Sequence, residues 1–283
     1  MRVGLLGDLH GRVLHGLAIL LEWQRRSGRR LDLALQVGDL GLPTEPDPAT
    51  LDPAARRYWE ADPSEGDLAR LLRAAGRRAD NLRRARERLS GPVLFLRGNH
   101  EDFGWLAGLP TDAAADPFDL FRYAPDGTLL ELDGLRIACL GGVEEQRDAA
   151  EIDWPAYERL SALGPGRVDL LVTHEGPYGT SVGFRGDVHG SAAISRLVER
   201  LGPRWHVAGH AHVLHGPRRF GPTVYLGVDC VVASPVWEPE KTGLQPGCLA
   251  VLDTETAALE PVLDGWLTGF DRRFDFDAFI EAL

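Results

Sequence analysis

Lysine and cysteine are scarce in this chain of 283 residues. Lys241 is the single lysine, although lysine and arginine together number 31. We interpret this bias as the codon preference of a GC-rich genome. The three cysteines, Cys139, Cys230 and Cys248, form no C-x-x-C pair, so their spacing indicates neither a zinc knuckle nor a disulfide framework. Such sparse cysteine favours a reducing compartment, and we expect a cytoplasmic protein.

Long apolar runs are absent as well. No run approaches the roughly 18 residues that a membrane-spanning helix needs, and residues 1–7 lead directly into a strand-like run rather than a secretory leader. We therefore expect no membrane partner. The formal net charge of -11 argues against broad, nonspecific binding to nucleic acid or anionic lipid, although it is compatible with a local basic groove. Nothing in the composition fixes the oligomeric state.

Apolar periodicity predicts a succession of strands and helices. The predicted strands are 3–6, 31–37, 93–96, 129–132, 136–140, 168–172, 205–208, 223–226, 248–252 and 259–263, and the predicted helices are 11–26, 54–60, 67–89 and 191–201. Strand, helix and strand over residues 3–37 predict a βαβ unit with parallel strands, and Asp133-Gly134 predicts a hairpin turn. We expect one domain over 1–283, with an inserted proline-rich and helical, cap-like segment at about 42–90 and a C-terminal hairpin at about 247–264.

Five short polar stretches each follow an apolar run. They are Asp8-Leu9-His10, Gly38-Asp39, Gly98-Asn99-His100-Glu101, Thr173-His174 and Gly209-His210-Ala211-His212. Carboxylate, imidazole and amide oxygen are ligand types that hold divalent metals. Because open α/β sheets bind ligands outside the carboxyl ends of their strands, we expect these stretches to meet. Any one of them alone would more often be structural, but all five in this order indicate a metal site.

The order of the five stretches resembles the calcineurin-like metallophosphoesterase superfamily over about residues 1–230. The resemblance implies an α/β fold, a four-layer α/β/β/α sandwich of two mixed sheets flanked by helices. It also implies the ligands of two metals, which would be Asp8, His10 and His212 for one and Asn99, His174 and His210 for the other. Asp39 would bridge the two metals. His100 would not be a ligand and would face the phosphate of the substrate.

The chemistry of these residues fits the implied roles. Two divalent metals need a shared anionic ligand, and a carboxylate such as Asp39 suits that position. Such metals lower the pKa of a bridging water, so that the resulting hydroxide can attack phosphorus, and they neutralise the developing charge. His100 is the candidate donor of a proton to the leaving oxygen, which makes Asp39 and His100 the predicted catalytic residues. We expect Glu101 to orient a histidine ring, and we expect two divalent ions, with Mn²⁺ favoured over Fe, Zn or Mg.

The substrate class has competing interpretations. The first and third stretches look like those of protein Ser/Thr phosphatases, but that subgroup carries Asp-Arg-Gly a few residues after the second stretch, where this chain has Leu40-Gly41-Leu42-Pro43. An arginine there would grip a monoester dianion. The two histidines of Gly209-His210-Ala211-His212 look more like the phosphodiesterase and nuclease branches. We favour a phosphodiesterase acting on a nucleotide or nucleic acid. The alternatives are a phosphomonoesterase on a phosphoprotein or small metabolite and a non-catalytic, partner-binding scaffold.

Residues outside the five stretches are candidates for contact with this phosphoester substrate. They are Arg12, Tyr178, Phe184, Arg185 and His189. Four of them lie in the glycine-rich stretch 176–191 that follows His174, where aromatic rings could stack on a base and an arginine could hold a phosphate. Arg12 follows the first stretch and could touch a phosphate, although we favour a surface salt bridge for it. The arginines of 67–89 could contact phosphates, but we favour a solvated face of an arginine-biased protein.

Overall fold

Two mixed β-sheets of six strands each form the centre of the molecule. The structure, a computed structural model, describes residues 1–47, 49–110, 113–144, 146–182, 186, 188–232 and 243–283, and only the backbone of residues 55, 58 and 181. In chain order, the strands of this described part are β1 (Arg2–Leu6), β2 (Leu33–Gln36), β3 (Val93–Phe95), β4 (Phe121–Tyr123), β5 (Leu129–Leu132), β6 (Leu135–Leu140), β7 (Leu170–Thr173), β8 (Ser181–Val182), β9 (Val188–His189), β10 (Trp205–Ala208), β11 (His215–Phe220), β12 (Thr223–Gly227), β13 (Leu249–Asp253) and β14 (Ala258–Pro261). Its α-helices are α1 (Val13–Ser27), α2 (Pro53–Ala61), α3 (Asp67–Leu72), α4 (Gly76–Arg88), α5 (Phe103–Gly108), α6 (Trp154–Ser161), α7 (Ala192–Leu201) and α8 (Phe276–Ala282). Among these helices, none combines the length and the apolar character that crossing a bilayer requires.

Parallel strands occupy the middle of both sheets. Sheet A has the order β14-β13-β1-β2-β3-β4, in which β1 to β4 are parallel and β13 and β14 are antiparallel. Sheet B has the order β11-β12-β10-β7-β6-β5, with antiparallel pairs at both edges. Helix α1 joins β1 to β2, so the predicted βαβ unit is confirmed. The β5–β6 hairpin turns at Asp133 and Gly134, both with positive φ, as the sequence predicted.

Three apolar cores separate four layers. Because side chains alternate along a strand, Leu6 of β1 packs against the helices α1, α3, α4, α5 and α8, whereas Val3 and Leu5 face the second sheet. In sheet B, Ile137 of β6 faces sheet A and Ala138 packs against α6 and α7. The predicted four-layer α/β/β/α sandwich is therefore confirmed.

The prediction of one helix over 67–89 is wrong. Helix α3 ends at Leu72, and α4 begins only at Gly76. Between them Ala75 is extended, with φ -138° and ψ 168°, and Gly76 has φ +54°, a value that glycine adopts without the penalty of a Cβ. The break lets the two helices pack on different partners. Helix α3 contacts α1, and α4 contacts α8.

The arginines of α4 pair with carboxylates. Four such pairs are Arg77–Glu281 at 2.7 Å, Arg78–Asp277 at 2.8 Å, Arg83–Asp80 at 2.8 Å and Arg86–Asp119 at 2.9 Å. Two of the carboxylates belong to α8, so these arginines help to hold the C-terminal helix against α4. This pairing favours a structural role for the arginine-rich helix over a phosphate-binding one.

Candidate metal centre

The polar stretches follow strands whose carboxyl ends point the same way within each sheet. Strands β1, β2 and β3 are parallel in sheet A and lead to Asp8, Asp39 and Asn99. Strands β7 and β10 are parallel in sheet B and lead to His174 and His210. The structure brings the ends of both sheets together, so that residues up to 204 positions apart in the chain are in contact.

Tight backbone turns direct the side chains of the polar stretches toward one another. Four non-glycine residues of the site have positive φ: His10 at 46°, Asp39 at 57°, His210 at 64° and His212 at 51°. Such values are uncommon outside glycine and collect at functional sites. Neighbouring glycines allow the close approach, because a Cβ on Gly98 would collide with Asp39 Oδ1 and one on Gly209 would collide with Asp8 Oδ1.

One group of donors consists of Asp8, His10, Asp39 and His212, whose ligand atoms lie within 4.8 Å of one another. His10 Nε2 is 2.9 Å from His212 Nε2, and His212 Nε2 is 3.1 Å from Asp8 Oδ2. Asp39 Oδ2 lies 3.8 Å from His10 Nε2. Two carboxylates and two imidazoles around one point form a donor set that suits a divalent metal.

A second group lies on the other side of Asp39. His174 Nε2 is 3.0 Å from Asn99 Oδ1 and 3.7 Å from Asp39 Oδ1. The His174 and His210 rings are 5.0 Å apart between centroids. His174 Nδ1 donates to the carbonyl of Val37 at 2.9 Å, which orients the ring so that Nε2 faces the site. The two oxygens of Asp39 thus face the two groups.

Two features of the side chains fit a pair of metals. Asp39 Oδ2 is buried and has no hydrogen-bond partner within the described part of the chain, so an anionic oxygen is directed at the space between the groups. Imidazole nitrogens also approach one another closely, as His10 and His212 do. A cation between such nitrogens would be coordinated by both rings.

Burial and charge give His10, His210, Asp39 and Asp8 the ionisation states that metal ligands need, whereas burial of His212 is outweighed by the Asp8 carboxylate, which raises the pKa of that ring. Burial lowers the pKa of His10 to about 3 and that of His210 to about 4, so both rings are neutral near pH 7. Burial acts to raise the pKa of Asp39, but the nearby His174 and His10 outweigh it and hold that pKa below its usual value. Burial likewise opposes ionisation of Asp8, yet its hydrogen bond with His212 and the surrounding histidines lower its pKa.

His100 is exposed at the mouth of the site. Its ring centroid lies 5.7 Å from that of His10, and its backbone N–H donates to Asp39 Oδ1 at 2.8 Å. The N–H of Asn99 donates to the same oxygen at 2.8 Å. The backbone of this turn therefore orients Asp39, while the His100 side chain borders a cavity of about 940 Å³.

That cavity extends from the donor groups to the segment after β2. It is lined by His10, Arg12, Gly41, Leu42, Thr44, Pro46, Leu51, Ala54, Trp59, Glu65, Asn99, His100, Glu101, His212, Cys230 and Val232. The donor groups contribute His10, Asn99 and His212, and residues between 41 and 65 contribute many of the other lining side chains. Residues from the first part of the predicted cap-like segment thus border the cavity, whereas α4 packs against α8.

The expectation that Glu101 orients a histidine ring is wrong. Its buried carboxylate accepts backbone N–H groups from Leu40 at 2.9 Å, Gly98 at 3.1 Å and Gly41 at 3.3 Å. Burial, reinforced by the negative charge of Asp39, raises the pKa of Glu101 to about 8. Glu101 therefore fixes the turn that follows Asp39 and does not support a metal ligand directly.

The predicted substrate-contact residues lie in different surroundings. Arg12 is buried and binds Asp62 and Glu65, so its salt bridge is internal and not on the surface. Tyr178 is 64% exposed, and His189 lies on β9, opposite Ser181. Neither is among the described residues that line the cavity. Phe184 and Arg185 lie outside the described residues.

Gln36 is a positioning residue that the sequence analysis missed. Its side-chain Nε2 donates to the carbonyl of Gly7 at 3.2 Å and to that of Gly38, and its Oε1 accepts from the N–H of Gly38 at 3.2 Å. Gln36 thereby ties together the backbone segments that carry Asp8 and Asp39. A glutamine inside the otherwise apolar run from Leu33 to Val37 was the available signal.

Comparisons with known proteins agree with this geometry. A family model described as calcineurin-like phosphoesterase matches residues 1–214. The crystal structure of TT1561 of Thermus thermophilus is similar with a TM-score of 0.53 at 16% identity, covering 92% of this chain and 97% of that one. A further solved structure has a TM-score of 0.53 at 14% identity, covering 93% and 98%. At such identities the likeness shows the fold alone. No curated protein matches the chain.

Proposed function

The chain belongs to the calcineurin-like phosphoesterase family, and on that premise we propose that it is a phosphodiesterase that hydrolyses a nucleotide or nucleic-acid phosphodiester. Membership in the family makes it a metal-dependent hydrolase of phosphate esters. We propose Mn²⁺ as the favoured metal and the cytoplasm as its location, where its three free, buried thiols would stay reduced. The observation that carries the proposal is the convergence of carboxylate, imidazole and amide donors on both sides of Asp39.

Each donor has a proposed role. Asp8, His10 and His212 would hold one ion, and Asn99, His174 and His210 would hold the other. Asp39 would be shared, since its two oxygens face the two groups. When bound, a pair of divalent ions supplies an activated water and positive charge for the phosphoryl oxygens. His100 lines the cavity beside His10 and would donate a proton to the leaving oxygen.

The charges around the cavity favour a diester over a monoester. A monoester dianion is typically gripped by a bidentate arginine. Arg12 is the one arginine among the described lining residues, and its guanidinium is bound by Asp62 and Glu65. A diester carries a single negative charge on its phosphate, which the metal centre can neutralise without an arginine.

A small nucleotide diester is favoured over a long nucleic acid. Binding a long polyanion rests on many arginine or lysine contacts with phosphates. The net charge of this chain is -11, and several arginines of α4 already pair with carboxylates. These charges support recognition of one phosphodiester in the cavity.

Turnover of bis-p-nitrophenyl phosphate tests the proposal. The protein would be stripped with EDTA, reloaded with Mn²⁺, Fe²⁺, Zn²⁺ or Mg²⁺, and assayed in parallel with p-nitrophenyl phosphate. We expect kcat/KM for the diester to exceed that for the monoester by at least about 10-fold. The variant Asp39→Asn keeps Oδ1 as the acceptor for Asn99 and His100, so it should fold while losing turnover.

Two outcomes would redirect the assignment. A higher rate on the monoester would make the protein a phosphomonoesterase. Absence of turnover on both esters with every metal would favour a non-catalytic scaffold. Retention of full turnover by Asp39→Asn would contradict the proposed ligand role of Asp39.

A further inference from the structure

The cavity wall outside the metal centre is largely apolar and comes mainly from one segment. We call residues 42–65 the strap; its described residues contribute Leu42, Pro46, Leu51, Ala54 and Trp59 to the cavity, together with Thr44 and Glu65. We propose that this wall binds an uncharged aromatic substituent of the phosphoester, with Trp59 as the specificity-determining side chain. This inference rests on the proposed function, because it names the group attached to the phosphate that the site would hydrolyse.

The cavity borders both the metal centre and the strap. His10, Asn99 and His212 line it together with residues of the strap. An organic group attached to a phosphate at the metal centre would therefore extend along the strap. A volume of about 940 Å³ accommodates an aryl group or a nucleobase together with the phosphate, since sites for small molecules span roughly 300–1,000 Å³.

The ionisable residues that line the cavity outside the metal centre already have partners within the protein. Arg12 and Glu65 bind each other at 2.9 Å, and Arg12 also binds Asp62. The carboxylate of Glu101 accepts backbone N–H groups. Among the described residues, the ionisable side chains that line the cavity outside the metal centre are thus engaged with the protein. A substituent that carries its own phosphate or ammonium group would have to displace these partners, whereas an uncharged ring would pack on the apolar wall.

Hydrogen bonds hold both ends of the strap. Its start is held where Glu101 accepts from Leu40 and Gly41. Its end is held where Asp62 binds Arg12 and where Leu68 N–H donates to the carbonyl of Gly11 at 3.0 Å. Both anchors are attached next to His100 and His10, so the two ends of the strap are tied to the backbone that carries these histidines.

Trp59 lies within this anchored frame. A Cβ on Gly66 would lie 2.8 Å from Trp59 Cη2, so the indole ring rests directly on the backbone of Gly66. The ring is half-buried and borders the cavity. A preformed aromatic wall gains binding free energy from a flat ring without a large ordering cost.

Titration calorimetry with two phosphonates tests the inference without turnover. Benzylphosphonate and methylphosphonate share the same anionic group and differ in one aromatic ring. For the Mn²⁺-loaded wild type we expect benzylphosphonate to bind about 10-fold more tightly. In Trp59→Ala this ratio should fall to within about 2-fold, and Trp59→Phe should retain most of it. Trp154→Ala is the matched control, because Trp154 lies on α6 and outside the cavity, and it should keep the wild-type ratio.

Three outcomes would overturn the inference: equal affinity of the wild type for both probes, equal weakening of both probes in Trp59→Ala, or no binding of either probe. Hydrolysis of bis-p-nitrophenyl phosphate by the same samples reports separately on the proposed function. An aromatic preference without hydrolysis would keep the inference and reject the phosphodiesterase assignment. Hydrolysis without an aromatic preference would reject the inference and keep the phosphodiesterase assignment.

Discussion

Arg12 donates two hydrogen bonds to a single carboxylate oxygen of Asp62, from Nε at 2.9 Å and from Nη2 at 2.7 Å. The side chains are 2% and 0% exposed. Asp62 also lies 3.5 Å from Arg272, so one carboxylate serves two arginines inside the protein. The pair joins the turn after His10 to the strap, and the structure of the cavity wall depends on it.

We predict that Asp62→Ala destabilises the protein strongly. Removing one partner of a buried ion pair leaves the other charge without its main compensation, which typically costs about 3–5 kcal/mol. Urea unfolding followed by circular dichroism would show this loss as a lower midpoint with little change in slope.

The exposed pair Arg77–Glu281 supplies the control. Its side chains are 63% and 39% exposed, and exposed pairs contribute little because water and salt screen them. The variant Glu281→Ala should therefore unfold close to the wild-type midpoint. Similar midpoints for Asp62→Ala and Glu281→Ala would contradict the internal role of Asp62.

The convergence of the polar stretches was predictable because their side chains directly follow strands. Asp8 comes two residues after Leu6, and His174 follows Thr173 at the end of β7. An apolar run identifies each strand, and the shared direction of parallel strands then brings the ends together. The apolar runs and the shared direction of parallel strands are thus enough to predict that these side chains lie close together.

Long-range partners were not predictable in the same way. Asp62 lies 50 residues after Arg12, and Leu40 lies 61 residues before Glu101. A sequence shows that such charged residues exist but not which distant backbone or side chain compensates them. The helix break at Gly76 was missed because the apolar stripe continues through it, although Gly76 itself, with its positive φ, was an available local signal.

We predict that Gln36→Leu weakens metal binding. The substitution keeps much of the volume but removes the hydrogen bonds to Gly7 and Gly38 that fix the backbone of Asp8 and Asp39. Loss of such an outer contact typically lowers metal affinity by about 10–100-fold. Titration of Mn²⁺ into the EDTA-stripped protein, measured by calorimetry, checks this.

Gln24→Leu is the matched control for Gln36. Gln24 also bonds to backbone groups, at Leu31 and Arg88, but it lies on α1 away from the metal centre. It should lose stability while keeping its Mn²⁺ affinity. If both variants lost metal affinity equally, the effect would reflect general destabilisation and not positioning.

We predict that the activity lost in His100→Ala depends on how strongly the leaving oxygen of the substrate needs a proton. The side chain is exposed and its backbone N–H still reaches Asp39, so the fold and the metal content should persist. A general acid contributes about 10²–10⁴-fold when the leaving oxygen needs a proton. Comparison of bis-p-nitrophenyl phosphate with diphenyl phosphate should therefore show a small loss for the first and a large loss for the second. Equal losses would remove the proton-donor role from His100.

His206 makes the stability of the protein depend on pH. Its ring is 0% exposed, and Nε2 donates to Thr173 Oγ1 at 2.8 Å while that hydroxyl donates to the carbonyl of Glu175 at 2.6 Å. Nδ1 is buried with no hydrogen-bond partner in the described part of the chain. Burial lowers the pKa of His206 from 6.5 to about 3, because the charged ring would have to give up its hydration.

The sign of the effect follows from the proton balance. Below pH 6.5 the unfolded chain binds a proton at His206 that the folded protein does not accept until about pH 3. The contribution of neutral His206 is therefore complete above pH 6.5 and is lost as the pH falls toward 3. Between pH 7 and pH 4 the loss should be about 3 kcal/mol.

The variant His206→Gln isolates this contribution, because an amide can still donate to Thr173 but does not titrate. Urea unfolding of both proteins in EDTA, at intervals from pH 7 to pH 4, removes any contribution from metal release. We expect the wild type to lose stability more steeply than the variant as the pH falls, since titration of the other groups is common to both. Parallel curves would mean that the folded protein accepts the proton at His206 near its ordinary pKa, and the buried, neutral state of this ring would be rejected.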